Sequence, residues 1–301
     1  MKKLEKGKVN YLNKKKCKVF KIGEVINYLY ALNDRRLAIG GDKKIIIYNM
    51  KNYKKDLIID CNYSPNLIYQ LDDNKIFYIN SCWTTIAYLS YYNFIVELSD
   101  KNYLDKTKEI LPKNSRYNII KEYSNSFLFG GISYEGNTKR IEKMIKINEK
   151  YEIVSSLKID FEDFILIKNK MCVLTKNIIL FYDIVKFKKM EKYFKAKDVT
   201  KIENYYNKFL LITTEKKVII YDFIIFKEIK LINCPYMIEE IYVNFNRVYI
   251  LYFDPDIIID YEINEEGNYK QINSYSGGPL ITQLKDGRLI TECNQGIKIW
   301  I

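Results

Sequence analysis

The chain has 301 residues, of which 49 are basic and 37 acidic, for a formal charge of +12; 48% are hydrophobic, 15% aromatic, and none is histidine. Single hydrophobic cores stop growing near about 250–300 residues, so this length requires two domains or a repeat architecture, and the apolar content excludes a disordered chain. The missing histidine excludes Ser-His-Asp and Cys-His nucleophiles, HExxH zinc helices and Cys2His2 fingers.

The first 21 residues hold nine lysines and one acid, Glu5, whereas residues 22–301 hold 40 basic and 36 acidic side chains. Residues 1–15 therefore read as a basic arm, in which Lys2, Lys3, Lys6, Lys8, Lys14 and Lys15, with the adjoining Lys16, are candidates for electrostatic contact with nucleic acid or an anionic membrane. The competing reading is a lysine-biased lead-in, because the chain carries 43 lysines against six arginines. The start lacks the apolar segment of a secretory signal, and no apolar run approaches the ~20 residues of a membrane span. The six cysteines are never closer than 21 residues, which leaves no CxxC half-site. They read as free, mostly buried thiols in a reducing compartment, the cytoplasm or the nucleus. The doublets Gly40-Gly41, Gly130-Gly131 and Gly277-Gly278 lack any phosphate-loop context and read as turns needing positive φ. No cofactor is expected.

A short strand recurs along the chain, each time after a turn rich in Asn or Asp. Its copies are RLAIG from Arg36, KIFYI from Lys75, SFLFG from Ser126, KMCVL from Lys170, KFLLI from Lys208, RVYIL from Arg247 and RLITE from Arg288. Asn and Asp tolerate the left-handed conformation and bond their own backbone, which suits hairpin turns. An apolar strand precedes each hairpin (Val25 to Leu32, Leu67 to Leu71, Leu280 to Leu284). A run ending in an aromatic follows it (Ile45 to Asn49, Ile178 to Asp183, Val218 to Asp222, Ile297 to Ile301), and then a more polar strand (Asp56 to Cys61, Phe226 to Leu231). The copies are spaced by 38 to 51 residues with a mean of 42. Four-stranded propeller repeats run at about 40–45 residues. Runs of four to six apolar residues, without an i, i+3, i+4 face, exclude helical repeats.

The seventh unit ends at Trp300-Ile301 without a fourth strand, and Cys17 to Ile22 is a spare strand at the other end. Pairing the two removes both open edges. The expected fold is all-β: a single domain over residues 16–301, a seven-bladed propeller of four-stranded antiparallel blades, with eight blades as the alternative.

On these residues the chain resembles the WD-repeat β-propeller family. Its clearest units are LNDRRLAIGGDKKIIIYN and LKDGRLITECNQGIKIW. In the family a turn Asp precedes the aromatic of the third strand by six residues; Asp42 with Tyr48 keeps that spacing, as do Glu215 with Tyr221 and Asn294 with Trp300. The WD dipeptide survives as Tyr48-Asn49, Tyr182-Asp183, Tyr221-Asp222 and Trp300-Ile301. Without histidine the family's Gly-His dipeptide and its hydrogen-bonded tetrad cannot form. The resemblance implies a non-enzymatic scaffold that binds a protein or peptide on one rim, where the loops between second and third strands, and between blades, converge.

Candidates on that rim are Trp83, Tyr134, Glu135, Lys139 and Arg140, since Trp, Tyr and Arg concentrate binding energy at interfaces. Burial of Trp83 between blades is the competing reading. The insertion Ser99 to Asn114 reads as a surface loop. Carboxylate groups occur at Asp160, Glu162 and Asp163, at Asp254 and Asp256, and at Glu265 and Glu266. A carboxylate-based hydrolase or lyase would need two of them on facing inner strands, about 5–10 Å apart.

Overall fold

The structure, a computed structural model, describes residues 16–300 except 72–74, 84–88, 99–102, 106–114, 125, 134–137, 148–149, 196, 245–246, 255 and 295; for 81–83, 89–93, 103–105, 115–116 and 132–133 it describes the backbone alone. The basic arm at 1–15, with Lys2, Lys3, Lys6, Lys8, Lys14 and Lys15, lies outside the described residues, as do Tyr134 and Glu135.

The chain opens with β1 (Cys17–Lys21). Blade 1 is β2 (Tyr28–Ala31), β3 (Arg36–Gly41), β4 (Lys44–Asn49) and β5 (Lys54–Asp60); blade 2 is β6 (Pro65–Gln70), β7 (Lys75–Trp83), β8 (Leu89–Leu98) and β9 (Tyr103–Asp105). Blade 3 is β10 (Ser115–Tyr123), β11 (Ser126–Ser133), β12 (Thr138–Ile147) and β13 (Lys150–Lys158); blade 4 is β14 (Asp163–Ile167), β15 (Lys170–Leu174), β16 (Ile178–Asp183) and β17 (Lys188–Lys195). Blade 5 is β18 (Val199–Tyr205), β19 (Phe209–Thr214), β20 (Lys217–Asp222) and β21 (Lys227–Asn233); blade 6 is β22 (Ile238–Asn244), β23 (Arg247–Tyr252), β24 (Ile257–Ile263) and β25 (Tyr269–Ser276). Blade 7 is β26 (Ile281–Gln283), β27 (Leu289–Cys293) and β28 (Gly296–Trp300), with β1 hydrogen-bonded to β28 as its fourth strand. The protein is a seven-bladed β-propeller of four-stranded antiparallel sheets. The recurring strand is the second of every blade: five copies start where β3, β7, β11, β15 and β23 start, and Lys208 and Arg288 sit one residue ahead of β19 and β27.

By internal contacts the strands form two compact units, Val19–Asp160 with Leu280–Ile299, and Phe161–Pro279 with the two chain ends. Within each unit the core lies between blades. The run Ile45 to Tyr48 shows why its strand is apolar on both faces. Ile45 and Ile47 pack with Ile68, Ile76 and Val96 of blade 2, while Ile46 and Tyr48 pack with Ile290, Ile297 and Ile299 of blade 7. Alternate side chains of a strand point to opposite faces, and here both faces are covered. In the second unit the same division places Phe181 and Tyr221 between blades 4 and 5, and Phe209, Ile250 and Tyr261 between blades 5 and 6.

Three local readings need correction. The insertion 99–114 is not all loop, because Tyr103–Asp105 forms β9, paired with Val96 to Leu98 as the outer strand of blade 2. Three residues are too few to show as an apolar run. The glycine doublets at 40–41 and 130–131 lie inside β3 and β11, and none of the three doublets is among the glycines with positive φ. At Gly40 the reason is a close approach: a Cβ there would meet Pro65 Cγ at 3.0 Å and Tyr28 Cβ at 3.3 Å. Nor, among the described residues, do Asn and Asp generally take the left-handed turn positions. Positive φ falls instead on neighbours such as Arg35, Ser124 and Lys168, although Asn207 and Asp198 do adopt it. The Asx side chains contribute hydrogen bonds: Asp34 binds the Arg36 guanidinium, with Nε at 2.7 Å.

The basic residue that opens the recurring strand has a structural task. Arg288 grips the Asp286 carboxylate at 2.8 Å and reaches blade 1, donating to the Met50 carbonyl at 3.1 Å and the Tyr53 hydroxyl at 3.0 Å. Lys208 of blade 5 likewise donates to the Glu265 carbonyl of blade 6. Met50 and Glu265 both lie in turns that join third to fourth strands. In blades 5 and 7 the opener thus ties its blade to the turn of the next, whereas Arg36 and Arg247 pair within their own blades, with Asp34 and Asp260. We expect Arg288→Ala to lower the unfolding free energy by about 1–2 kcal/mol in urea titrations, because charge-assisted bonds are lost at a partly exposed site. Hydrogen bonds from Arg288 also hold the Asp286 carboxyl below its usual range. A depressed carboxyl contributes stability above its unfolded value of about 3.9 and loses it as pH falls through the folded value. The difference between wild type and variant should therefore shrink below about pH 4.

Candidate partner-binding site

The turn between third and fourth strands repeats in blades 1, 4 and 5. It runs Asn49 to Tyr53, Asp183 to Phe187 and Asp222 to Phe226. The first residue caps the turn. Asp183 Oδ1 accepts the N–H groups of Val185 and Lys186, both at 2.9 Å. Asp222 Oδ1 accepts those of Ile224 at 2.8 Å and Ile225 at 3.2 Å, and Asn49 accepts that of Lys51 at 3.0 Å. These backbone bonds, that of Lys186 foremost, pull the Asp183 carboxyl below its usual range. The second residue (Met50, Ile184, Phe223) is buried, and the fifth is an aromatic with φ between 52° and 59°. Only the third and fourth positions face solvent, so the turn is fixed at three points and presents two side chains. The capping residue is the second member of three of the four surviving dipeptides, Tyr48-Asn49, Tyr182-Asp183 and Tyr221-Asp222.

In blades 4 and 5 the presented side chains include Val185, Ile224 and Ile225, and the first turn of blade 5 adds Tyr206; these four are 57 to 66% exposed. Phe223 and Phe226 anchor the blade 5 turn by packing on Phe181, with ring centroids at 5.0 and 5.6 Å. Lys192 lies 4.0 Å over the Phe226 ring.

Beside Tyr206 lies a cleft of about 460 Å³ between the first turn of blade 5 and the third-to-fourth-strand turn of blade 6, lined by Tyr206, Lys208, Phe209, Glu262 to Asn264 and Glu265. One buried hydroxyl fixes its walls. Tyr205 Oη donates to the Ile263 carbonyl at 2.9 Å and accepts the Ile263 N–H at 3.2 Å.

Charged groups also gather on the inner strands of this unit. Lys201 on β18 contacts Glu203 at 3.5 Å and Glu240 of β22, and donates to the Ile241 carbonyl at 3.3 Å. Burial works to lower the Lys201 pKa, but Glu203, Glu240 and Asp163 outweigh it and the pKa is raised. Two carboxylates therefore do converge on inner strands, but they share one ammonium. Of the acids named from sequence, Asp160 pairs with Lys139 at 2.9 Å, Asp163 acts on Lys201, and Glu162, Asp254, Asp256 and Glu266 are exposed. Among the described residues no group of three His, Cys, Asp or Glu side chains could hold a metal ion, and no helix is long and apolar enough to cross a membrane.

No protein-family model and no curated protein matches this sequence. Solved structures do match across nearly the whole chain. A chain of the "Crystal Structure of Mitotic Checkpoint Complex" aligns with TM-score 0.66 and 9% identity over 97% of this chain and 93% of that one. BamB from Moraxella catarrhalis aligns with TM-score 0.59 and 11% identity, over 92% of this chain and 85% of that one. The AfRom2 CNH domain aligns with TM-score 0.59 and 13% identity, over 95% and 97%. At such identities the likeness is one of fold.

Among the residues proposed from sequence, Trp83 ends β7, and Lys139 and Arg140 stand near the start of β12 in the neighbouring blade. All three lie toward the turn between second and third strands. Lys139 is held by Asp160, and its carbonyl accepts the Ile159 N–H at 3.2 Å, so it closes blade 3 locally. Lys16 is exposed just ahead of β1. The exposed turns of blades 4 and 5 were missed, although a signal was present. Each reads Asp, apolar, two variable residues, Phe, Lys: DIVKFK and DFIIFK.

Proposed function

We propose that this protein is a non-enzymatic, WD-repeat-like propeller that binds a protein partner through the turns of blades 4 and 5. The observation that carries this reading is a set of apolar side chains, Val185, Ile224 and Ile225, held 57 to 66% exposed on turns whose backbones are pinned by Asp183 and Asp222. Isolated exposed apolar residues are ordinary, but several on rigid adjacent turns form a preorganised contact. The propeller fold, shared with a chain of the mitotic checkpoint complex, supports an interaction role. The location proposed is the cytoplasm, supported by Cys61, Cys172 and Cys234, which are free and buried.

The test is crosslinking in the native cell, followed by mass spectrometry, with wild type and with the triple variant Val185→Ser, Ile224→Ser, Ile225→Ser. A partner recovered with wild type should fall at least tenfold with the triple variant. It should persist with Met237→Ser, Phe253→Ser, a control at exposed apolar positions on the opposite turns of blade 6. Recovery unaffected by the triple variant, or lost only in the control, would reject the reading.

A further inference from the structure

We propose that the cleft beside Tyr206 takes the basic side chain, arginine or lysine, of a partner's peptide segment; this rests on the protein-partner reading above and names what one part of that surface recognises. Three features of the cleft point to a cation.

First, its charge opposes that of the chain. The protein carries +12, yet the charged residues lining the cleft are Glu262, Glu265 and one ammonium, Lys208, with Glu266 exposed on the same turn. That ammonium already has neighbours: it donates to the Glu265 carbonyl, stands 4.0 Å from the Asp222 carboxylate and 4.9 Å from the Phe209 ring centroid. A carboxylate entering the cleft would meet two glutamates, whereas a guanidinium or ammonium would meet a complementary field.

Second, Tyr206 supplies an aromatic face at the mouth. It is 61% exposed and has φ of +55° beside Asn207 at +52°. A bulky residue is strained in that conformation, and Asn or Gly would occupy the turn at lower cost. A cation over an exposed aromatic ring gains about two- to fivefold in affinity. Third, Phe209 and Ile263 give the cleft an apolar floor for the aliphatic stem of the incoming residue, as long basic side chains require. The Tyr205 hydroxyl, bonded to both backbone groups of Ile263, fixes the floor before anything binds.

The experiment is selection of random heptapeptides displayed on phage against the full chain, followed by fluorescence anisotropy of the recovered peptides. Binding is compared between wild type, Tyr206→Asn, and the double variant Glu265→Gln, Glu266→Gln. Asn suits positive φ, so Tyr206→Asn should unfold at the same temperature as wild type or higher, and any loss of binding then belongs to the ring. We expect recovered peptides to share one Arg or Lys, to bind Tyr206→Asn about two- to fivefold more weakly and the double Gln variant at least tenfold more weakly, and to weaken as NaCl rises from low to high concentration. Recovery of peptides without a shared basic residue, equal binding by both variants, or no enrichment at all would overturn this assignment. The protein-partner reading would still stand or fall on the crosslinking result with the apolar turns.

Discussion

Gly296→Ala is expected to cost about 3 kcal/mol or more and to release the N-terminal strand from blade 7. Gly296 has φ of +142°, which disfavours side-chain-bearing residues, and an added Cβ would stand 2.3 Å from the Phe20 carbonyl oxygen and 2.8 Å from the Ile22 nitrogen. Both are backbone atoms of the segment that carries β1, so no rotamer change relieves the clash and the strand itself must move. With it would go part of the apolar layer containing Ile22, Ile297 and Ile299. Urea unfolding measures the loss. Deleting residues 1–22 should cost a similar amount, and combining deletion with Gly296→Ala should add only the local backbone strain, because the two changes break the same contacts. Full additivity would mean that β1 contributes independently of Gly296.

The second large effect is expected at Asp260, which is 2% exposed on β24. Its carboxylate accepts the Asn273 N–H and the Tyr275 hydroxyl at 3.2 Å, and faces Arg247 at 3.8 Å. Burial raises its pKa, opposed by the Asn273 and Tyr275 hydrogen bonds and by Arg247. Asp260→Ala would strand a buried N–H, a phenol and a guanidinium together, at a cost of about 3–5 kcal/mol. Asp260→Asn retains an acceptor and the shape, and should cost markedly less. The pH dependence has a defined sign. A carboxyl whose folded pKa is raised binds its proton more tightly in the native state, so its share of stability grows as pH falls from the folded value toward about 3.9. Wild type should gain on Asp260→Asn across that window, the reverse of the acid loss expected through Asp286.

Asp260 also shows what the missing histidine leaves behind. The hydrogen-bonded tetrad of the resembled family cannot form without histidine, which by itself would leave blade rigidity to apolar packing. The structure places a buried acid on the third strand of two blades, each with a tyrosine hydroxyl: Asp260 with Tyr275 and Glu142 with Tyr117, the latter at 2.7 Å. With 28 tyrosines in the chain, no spacing rule could single these out. The pairs join different strands, Tyr275 from the fourth and Tyr117 from the first, so only the register brings them together.

Blade number and most strand positions were legible because strand periodicity and turn composition are local signals. Where the reading failed, the cause was contact between distant segments. Gly40 is small because Pro65 of the next blade approaches it, and β9 exists because Val96 to Leu98 offers it an edge. The candidate site was harder still. Trp83, Lys139 and Arg140 were chosen by residue type, whereas exposure of Val185, Ile224 and Ile225 follows from which turn positions the Asp caps and anchor aromatics consume.

The five-residue turn of blades 1, 4 and 5 separates two kinds of information in the chain. Its first, second and fifth residues hold the backbone; in blade 1 the fourth, Asn52, also accepts the Lys54 N–H at 3.0 Å, whereas in blades 4 and 5 the third and fourth carry no folding duty. Those two positions can therefore change freely without disturbing the blade beneath them. Across the turns of blades 4 and 5 this gives four interchangeable side chains on a fixed frame. New specificities can be written there by substitution or by selection, at little risk to stability.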